Sequence, residues 1–335
     1  MAAGVSDQPA PPAAALAPAF ERIESAPLHV VINSGSGSQK ADATQALIAG
    51  VLAEGARAHR FYRVDDPAHI TQAAREAVAA ARAEGGIVVA SGGDGTINSV
   101  AQCVLGSGCA FGVLPQGTFN YFSRAHGIPA DTAAAARVLL TGRPRPVQVG
   151  LVNDRVFLVN ASLGLYPRLL QDREAFKRQF GRSRLVAFGA GLVTLLGVHR
   201  KLRLQFEHGD VARRVRTPTL FVGNNRLQME QIGAASAFEQ GALAAITLRP
   251  VGTFGMLWLL LRGAMSRLAD ADKVESFGFD SMTVRPARLS RTRPMKVATD
   301  GEVTWLAPPL VFAVAPEPLW LITPDGAADD RAARR

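Results

Sequence analysis

The sequence predicts an α/β protein: an N-terminal three-layer, parallel-sheet domain followed by a mainly antiparallel β-sandwich domain. Three observations predict it. Short β-rich runs alternate with Ala-rich helical stretches from Leu28 to Gly142, the rhythm of a parallel sheet covered by helices. The texture then changes after Arg143-Pro-Arg-Pro146 to closely spaced β runs joined by turn residues. The chain also has 335 residues, more than one hydrophobic core usually organises.

The first β run is LHVVIN from Leu28, and a helix follows from about Ala41. A second strand is expected near His59–Val64, a helix over Ala68–Glu84, and a third strand in GIVVAS. A helix near Thr96–Leu105, the strand FGVLP and a helix over Asp131–Leu140 continue the pattern to Gly142. Beyond the Arg/Pro segment, VQVGLV and RVFLVNA flank Asn153-Asp154, and LRLQFE and VARRVR flank His208-Gly209-Asp210, each a hairpin pattern. Further β runs recur near Thr219, Ala242, Ser281 and Met295, interrupted by two apolar helical stretches near Leu185 and Phe254. The expected organisation is a disordered tail over 1–26, an α/β domain over 27–145 with 318–325 a candidate final piece, a β-sandwich over 146–317, and a second tail over 326–335.

Hydrophobic residues make up 48% and charged residues 19% of the chain, which provides apolar material for two cores and excludes wholesale disorder. The Ala/Pro-rich first twenty residues have no basic n-region and no unbroken apolar run, so no signal peptide is expected. The longest apolar runs fall short of the roughly 20 residues that span a bilayer, so no transmembrane helix is expected. The pair Cys103 and Cys109 is too sparse for a disulfide framework, and a reducing cytoplasm fits. The net charge of +9 favours anionic partners. No zinc-finger spacing, RNP-like aromatic motif or basic zipper appears, so nucleic acid is not the expected partner and an anionic membrane surface is.

The chemistry is concentrated in glycine loops. In IVVASGGDGTINSVAQ an apolar strand runs into a turn of Gly92, Gly93, Asp94 and Gly95, with Thr96 at the start of a helix. Glycines let a backbone approach a phosphate closely, and free N–H groups at a helix N-terminus face an anion. Asp94 can hold Mg²⁺ or accept a proton. The plain alternative is a strand-to-helix turn with Asp94 as a cap. A second loop repeats the device: FGVLPQGTFNYF delivers a strand into Gly117, Thr118 and Asn120.

GGDGT followed by LPxGTxN and then Gly127-Ile128-Pro129 resembles the diacylglycerol kinase catalytic domain family, which also contains sphingosine kinases and bacterial lipid kinases. The resemblance runs from Val30 to about Leu321. Asn33-Ser34-Gly35-Ser36-Gly37 is similar to the family's first nucleotide loop, with Ser34 in place of a proline. The run VNDRVFLVNASLGLYPRLL resembles the opening hairpin of its β domain, and Phe221 to Asn225 a later strand end. Asp300-Gly301-Glu302 resembles its DGE motif. Two departures stand out. Tyr121 follows Asn120 where the family commonly has Asp, and Val147-Gln148-Val149 replaces a frequent Ile-Asp-Leu.

The resemblance implies an ATP-dependent lipid kinase that transfers the γ-phosphoryl group to a hydroxyl of a diacylglycerol-like lipid, with ATP as co-substrate and Mg²⁺. It implies that Asn33, Ser36, Gly37, Gly92, Gly93, Asp94, Gly95, Thr96, Gly117, Thr118 and Asn120 hold ATP. Asp94 and Asp300 would hold the metal, and Asp94, Asp300 and Glu302 would be catalytic, with the choice of base between Asp94 and Asp300 open. Read without the resemblance, Asp300-Gly301-Glu302 is a β-turn with solvated acids. Two basic stretches, Arg168–Arg184 and Arg285–Lys296, are candidate contacts to anionic headgroups or solvated loops. The expectation is thus a cytoplasmic, membrane-peripheral enzyme, with a homo-oligomer left open. Its rivals are a kinase of a soluble acceptor and a catalytically silent lipid- or nucleotide-binding protein.

Overall fold

The computed structural model describes residues 20, 23–34, 38–164, 202–208, 211–224, 241–248, 274–287 and 293–325. The expected helices near Leu185 and Phe254 lie outside these residues.

The first sheet begins with β1 (Leu28–Asn33), β2 (His59–Val64), β3 (Ile87–Gly92) and β4 (Ala110–Pro115). These strands are joined through α1 (Ser38–Glu54), α2 (Ile70–Glu84) and α3 (Asp94–Val104). Every residue of β3 and β4 is buried, as continuous apolar runs in the middle of a helix-covered sheet must be. The chain passes from β1 outward to β2 and back across to β3. Right-handed crossovers then put α1 and α2 on opposite faces, and accordingly α1 packs with α5 (Thr132–Thr141) while α2 packs with α3. A short α4 (Tyr121–Ala125) lies between β4 and α5. Asp131 caps α5 by accepting from the Ala134 N–H at 2.8 Å, and Gly85, at φ 66°, ends α2 in the left-handed conformation that favours glycine.

The Arg/Pro segment read as a boundary is itself a strand, β5 (Arg143–Val147). Its prolines, Pro144 and Pro146, cannot donate to a ladder, and β5 accordingly lies at the sheet edge. The full order is β2-β1-β3-β4-β18-β5, where β18 (Leu319–Thr323) returns from the far end of the sequence. It pairs parallel with β4 and antiparallel with β5, so the parallel sheet carries one antiparallel edge.

Two antiparallel sheets contain the remaining described strands. One contains β6 (Gly150–Val152), β7 (Arg155–Phe157), β9 (Leu202–His208), β10 (Val211–Thr217), β14 (Ser281–Pro286) and β17 (Leu310–Val314), in the order β10-β9-β14-β17-β6-β7. The other contains β8 (Asn160–Gly164), β11 (Thr219–Gly223), β12 (Leu243–Leu248), β13 (Val274–Phe279), β15 (Met295–Thr299) and β16 (Glu302–Leu306), in the order β13-β12-β11-β8-β15-β16. Side chains alternate along each strand. Phe157, Leu204, Leu220, Met282, Val297 and Phe312 meet between the sheets in a core separate from that of the first sheet. The edge strand β7 packs against α3, whose buried side chains belong to the first core. Among the described residues no helix is long and apolar enough to cross a membrane.

Candidate active site

Three strand ends of the first sheet build one floor. Gly92 closes β3, Gly93 is extended, and α3 starts at Asp94. The first intrahelical bond runs from the Ile97 N–H to the Gly93 carbonyl at 3.0 Å, which leaves the N–H groups of the first turn pointing out of the helix start. A Cβ on Gly92 would come within 2.6 Å of the Thr96 side chain. The buried Thr96 accepts from Asn33 Nδ2 at 3.0 Å, which ties the end of β1 to this loop. Ser36 and Gly37 lie outside the described residues.

The loop after β4 lies directly against the first. The Gln116 N–H donates to the Gly92 carbonyl at 2.8 Å, and a Cβ on Gly117 would stand 3.2 Å from the Gly93 Cα. Asn120 has φ 48°, a conformation that asparagine tolerates better than most residues. From it, Oδ1 accepts from the Gly117 N–H and Nδ2 donates to the Gly117 carbonyl, both at 3.0 Å. Its own N–H donates to Asp94 Oδ2 at 3.2 Å. Thr118 is exposed between them. Tyr121, in place of the family's Asp, packs partly buried on the first core and stacks on the half-exposed Phe119, with ring centroids 5.8 Å apart and an interplanar angle of 7°.

Asp94 has one satisfied oxygen and one that is not. Oδ1 is buried without a hydrogen-bond partner. Burial pushes its carboxyl up, and backbone N–H groups of Asn120, Asp94 itself and Tyr121 pull the other way. Among the described residues no group of three or more His, Cys, Asp or Glu comes together. A hard cation that takes one carboxylate and draws its other ligands from water and phosphate fits such a donor set.

The β15–β16 turn brings the other acids. Asp300 and Gly301 have φ 47° and 94°, as a two-residue Asp-Gly hairpin turn demands. Asp300 is not a solvated turn acid. Its Oδ1 accepts from the N–H groups of Val159 and Asn160 at 2.9 Å each. Its Oδ2 accepts from the Leu158 N–H and from Asn98 Nδ2, both at 2.7 Å. Burial pushes its carboxyl up while these four donors oppose the shift. With four donors on two oxygens, a metal or a substrate proton finds no vacant acceptor position. Glu302 is the acid that reaches the glycine loop: a Cβ on Gly95 would fall on its Oε1. Glu302 stays exposed at the start of β16; partial desolvation first, and then the charge of Asp300, push its carboxyl up, and Arg155 pulls it down.

The glycine loops, Asn33, Thr96, Asn120, Asp94 and Glu302 therefore converge. The sequence reading missed Asn98 and Gln102, which follow Asp94 at four-residue steps on α3, and the Leu158–Asn160 turn that grips Asp300. Spacing alone could have pointed to the first two. Of the basic stretches, Arg168–Arg184, Arg288 and Arg291 lie outside the described residues. Arg285 pairs with Glu207 at 3.3 Å, and the Lys296 ammonium sits 5.2 Å from the Trp305 ring centroid.

An α/β domain whose strand ends form a glycine-lined floor with free helix N–H groups, facing acids from a β-sandwich, suits the binding of an anion such as a phosphate. Residues 27–152 match the sequence model of the diacylglycerol kinase catalytic domain. A probable lipid kinase YegS-like protein of Klebsiella pneumoniae is 44% identical over 79 residues, 23% of this chain and 27% of that protein. The diacylglycerol kinase of Bacillus subtilis is 41% identical over 105 residues, 30% and 34% of the two chains. These matches span about a quarter to a third of the curated relatives. Over nearly the whole length, a solved diacylglycerol kinase of Bacillus anthracis shares the fold with a TM-score of 0.64 at 16% identity, covering 90% of this chain and 98% of that one.

Proposed function

We propose that the protein is an ATP-dependent lipid kinase that phosphorylates a hydroxyl of a diacylglycerol-like membrane lipid. The observation that carries this reading is the buried, partnerless Oδ1 of Asp94 at the start of α3, faced across the bare Gly95 by Glu302 of the other core.

The first-turn N–H groups of α3 and the Gly93–Gly117 contact cradle the phosphates, where glycine alone lets two backbones and an anion meet. Asn33, Thr96 and Asn120 fix the relative positions of the three loops; Thr118 offers a hydroxyl beside them. Asp94, with its partnerless Oδ1, would hold Mg²⁺, which would supply positive charge to the phosphoryl group in transfer. Glu302 takes the proton from the lipid hydroxyl, and its raised carboxyl suits a base that must also release that proton. Asp300 is given no metal and no proton, because its acceptor positions are filled.

The acceptor reaches this site from an anionic membrane surface, to which the enzyme docks from the cytoplasmic side. The net charge of +9 and the exposed Trp305, with Lys296 over its ring, support this: an aromatic ring and a cation suit the headgroup layer. Binding to anionic vesicles should weaken at high salt and on Lys296→Gln. Salt-insensitive binding, or none at all, would remove the membrane from the proposal. Transfer of radiolabel from ATP to a total lipid extract tests the reaction itself. Labelled lipid supports it, a labelled soluble metabolite points to the other kinase class, and no product in the presence of Mg²⁺ indicates a silent binding protein.

A further inference from the structure

α3 does more than present its N-terminus. Along one stripe, at Asp94, Asn98 and Gln102, it carries the loop carboxylate and then two amides, each bonded to the second half of the molecule. Asn98 Nδ2 donates to the Val156 carbonyl at 3.0 Å as well as to Asp300 Oδ2 at 2.7 Å. Gln102 Oε1 accepts from the Val156 N–H at 2.8 Å, and its Nε2 donates to the Asp154 carbonyl at 3.0 Å. Both backbone groups of Val156 are therefore satisfied by side chains of α3. Val156 lies on β7, an edge of its sheet, and an edge strand leaves such groups unpaired unless something covers them. The two amides take the place of a neighbouring strand.

From this arrangement we infer that Asn98 and Gln102 are positioning residues for phosphoryl transfer, holding Glu302 over Gly95 through Asp300 and β7. The chain of contacts is short and continuous. Asn98 grips Asp300, Asp300 collects the N–H groups of Leu158, Val159 and Asn160, and its own N–H donates to the Asn160 carbonyl at 2.9 Å. Glu302 follows two residues later, beyond a turn whose φ values leave little freedom. The helix that builds the phosphate floor thus also sets the height of the acid above it. Two groups that must meet within a fraction of an ångström are referred to one rigid element rather than to a hinge.

The inference rests on Glu302 being the reacting acid, and a double-mutant cycle separates the two claims. Asn98→Ala, alone, should lower kcat about 10- to 100-fold, the scale expected of a small misplacement. The KM for ATP should stay within about twofold of the parent, because the glycine loops keep their bonds. Combined with Glu302→Gln, Asn98→Ala should lower kcat little further, since a residue acting through another has nothing left to position. If the two losses multiply, Asn98 is a general stability contact and the inference fails while the role of Glu302 stands. If Glu302→Gln is itself fully active, the proposed reaction scheme fails first, and the inference with it. Gln102→Ala leaves every donor to Asp300 in place and provides a cycle should Asn98→Ala not fold. The same non-additivity at a smaller size is expected there, and its absence overturns the inference.

Discussion

Replacing Asp300 by Asn is the substitution that divides a reacting acid from a structural one. The change keeps the shape and removes one acceptor oxygen, so the new NH₂ faces two of the four N–H donors that Asp300 now satisfies. Each buried donor left unpaired costs about 1–3 kcal/mol, so two cost about 2–6 kcal/mol. Loss of the charge weakens the two bonds that remain. A domain of this kind is stable by about 5–15 kcal/mol, and each kcal/mol moves the midpoint by about 2–4 °C. A fall in Tm of roughly 5–20 °C should follow. Thermal melts by circular dichroism of parent, Asp300→Asn and Glu302→Gln proteins measure it, alongside transfer rates at a temperature where all are folded. Glu302→Gln should melt within about 2 °C of the parent and lose transfer by about 10²-fold or more. An Asp300→Asn protein that melts with the parent and loses only its rate would refute the reasoning, because Asp300 would then be a reacting group.

Three further outcomes follow from the same geometry. Asp94→Asn should reduce transfer at least about 10²-fold while raising Tm near neutral pH in the absence of nucleotide and metal. The carboxyl of Asp94 is held above its ordinary 3.8, so its contribution is present below that value and is lost as pH rises through the folded pKa; the Tm gap should close on acidification, and a gap that is independent of pH would contradict this. Gly95→Ala puts a methyl group on Glu302 Oε1, which a flexible side chain can evade by moving off the loop. Transfer should fall about 10-fold or more with Tm nearly unchanged, and full activity would mean that Glu302 works elsewhere. Finally, the acid limb of the kcat–pH profile should lie above the ordinary carboxylate value, because the base must be ionised and partial desolvation together with the nearby charge of Asp300 raises Glu302; a limb at the ordinary value would show that neither acts on the reacting acid.

Much of the site was legible because its parts are local. A glycine turn between a strand and a helix announces itself by residue type, and Gly92–Thr96 and Gly117–Asn120 converge because β3 and β4 are neighbours in register. The Asp-Gly hairpin at Asp300 was equally readable as a turn. Its chemistry was not. Asp300 and Glu302 stand two apart and look equivalent, yet Asp300 is enclosed by N–H groups from residues some 140 positions earlier, whereas Glu302 reaches the bare Gly95. Nor did Arg143–Val147 look like a strand, since its prolines satisfy the rules of a sheet edge only once β18 returns to provide the inner neighbour.

What the sequence by itself determined was the alternation that makes a parallel sheet, the hairpins that follow, and the loops where an anion could sit, since each depends on periodicity and backbone freedom within a few residues. Which acid faces those loops, and which helix side chains hold it there, only the tertiary structure decided. Burial and the filling of lone pairs depend on which distant backbone groups the folded chain brings to each carboxylate.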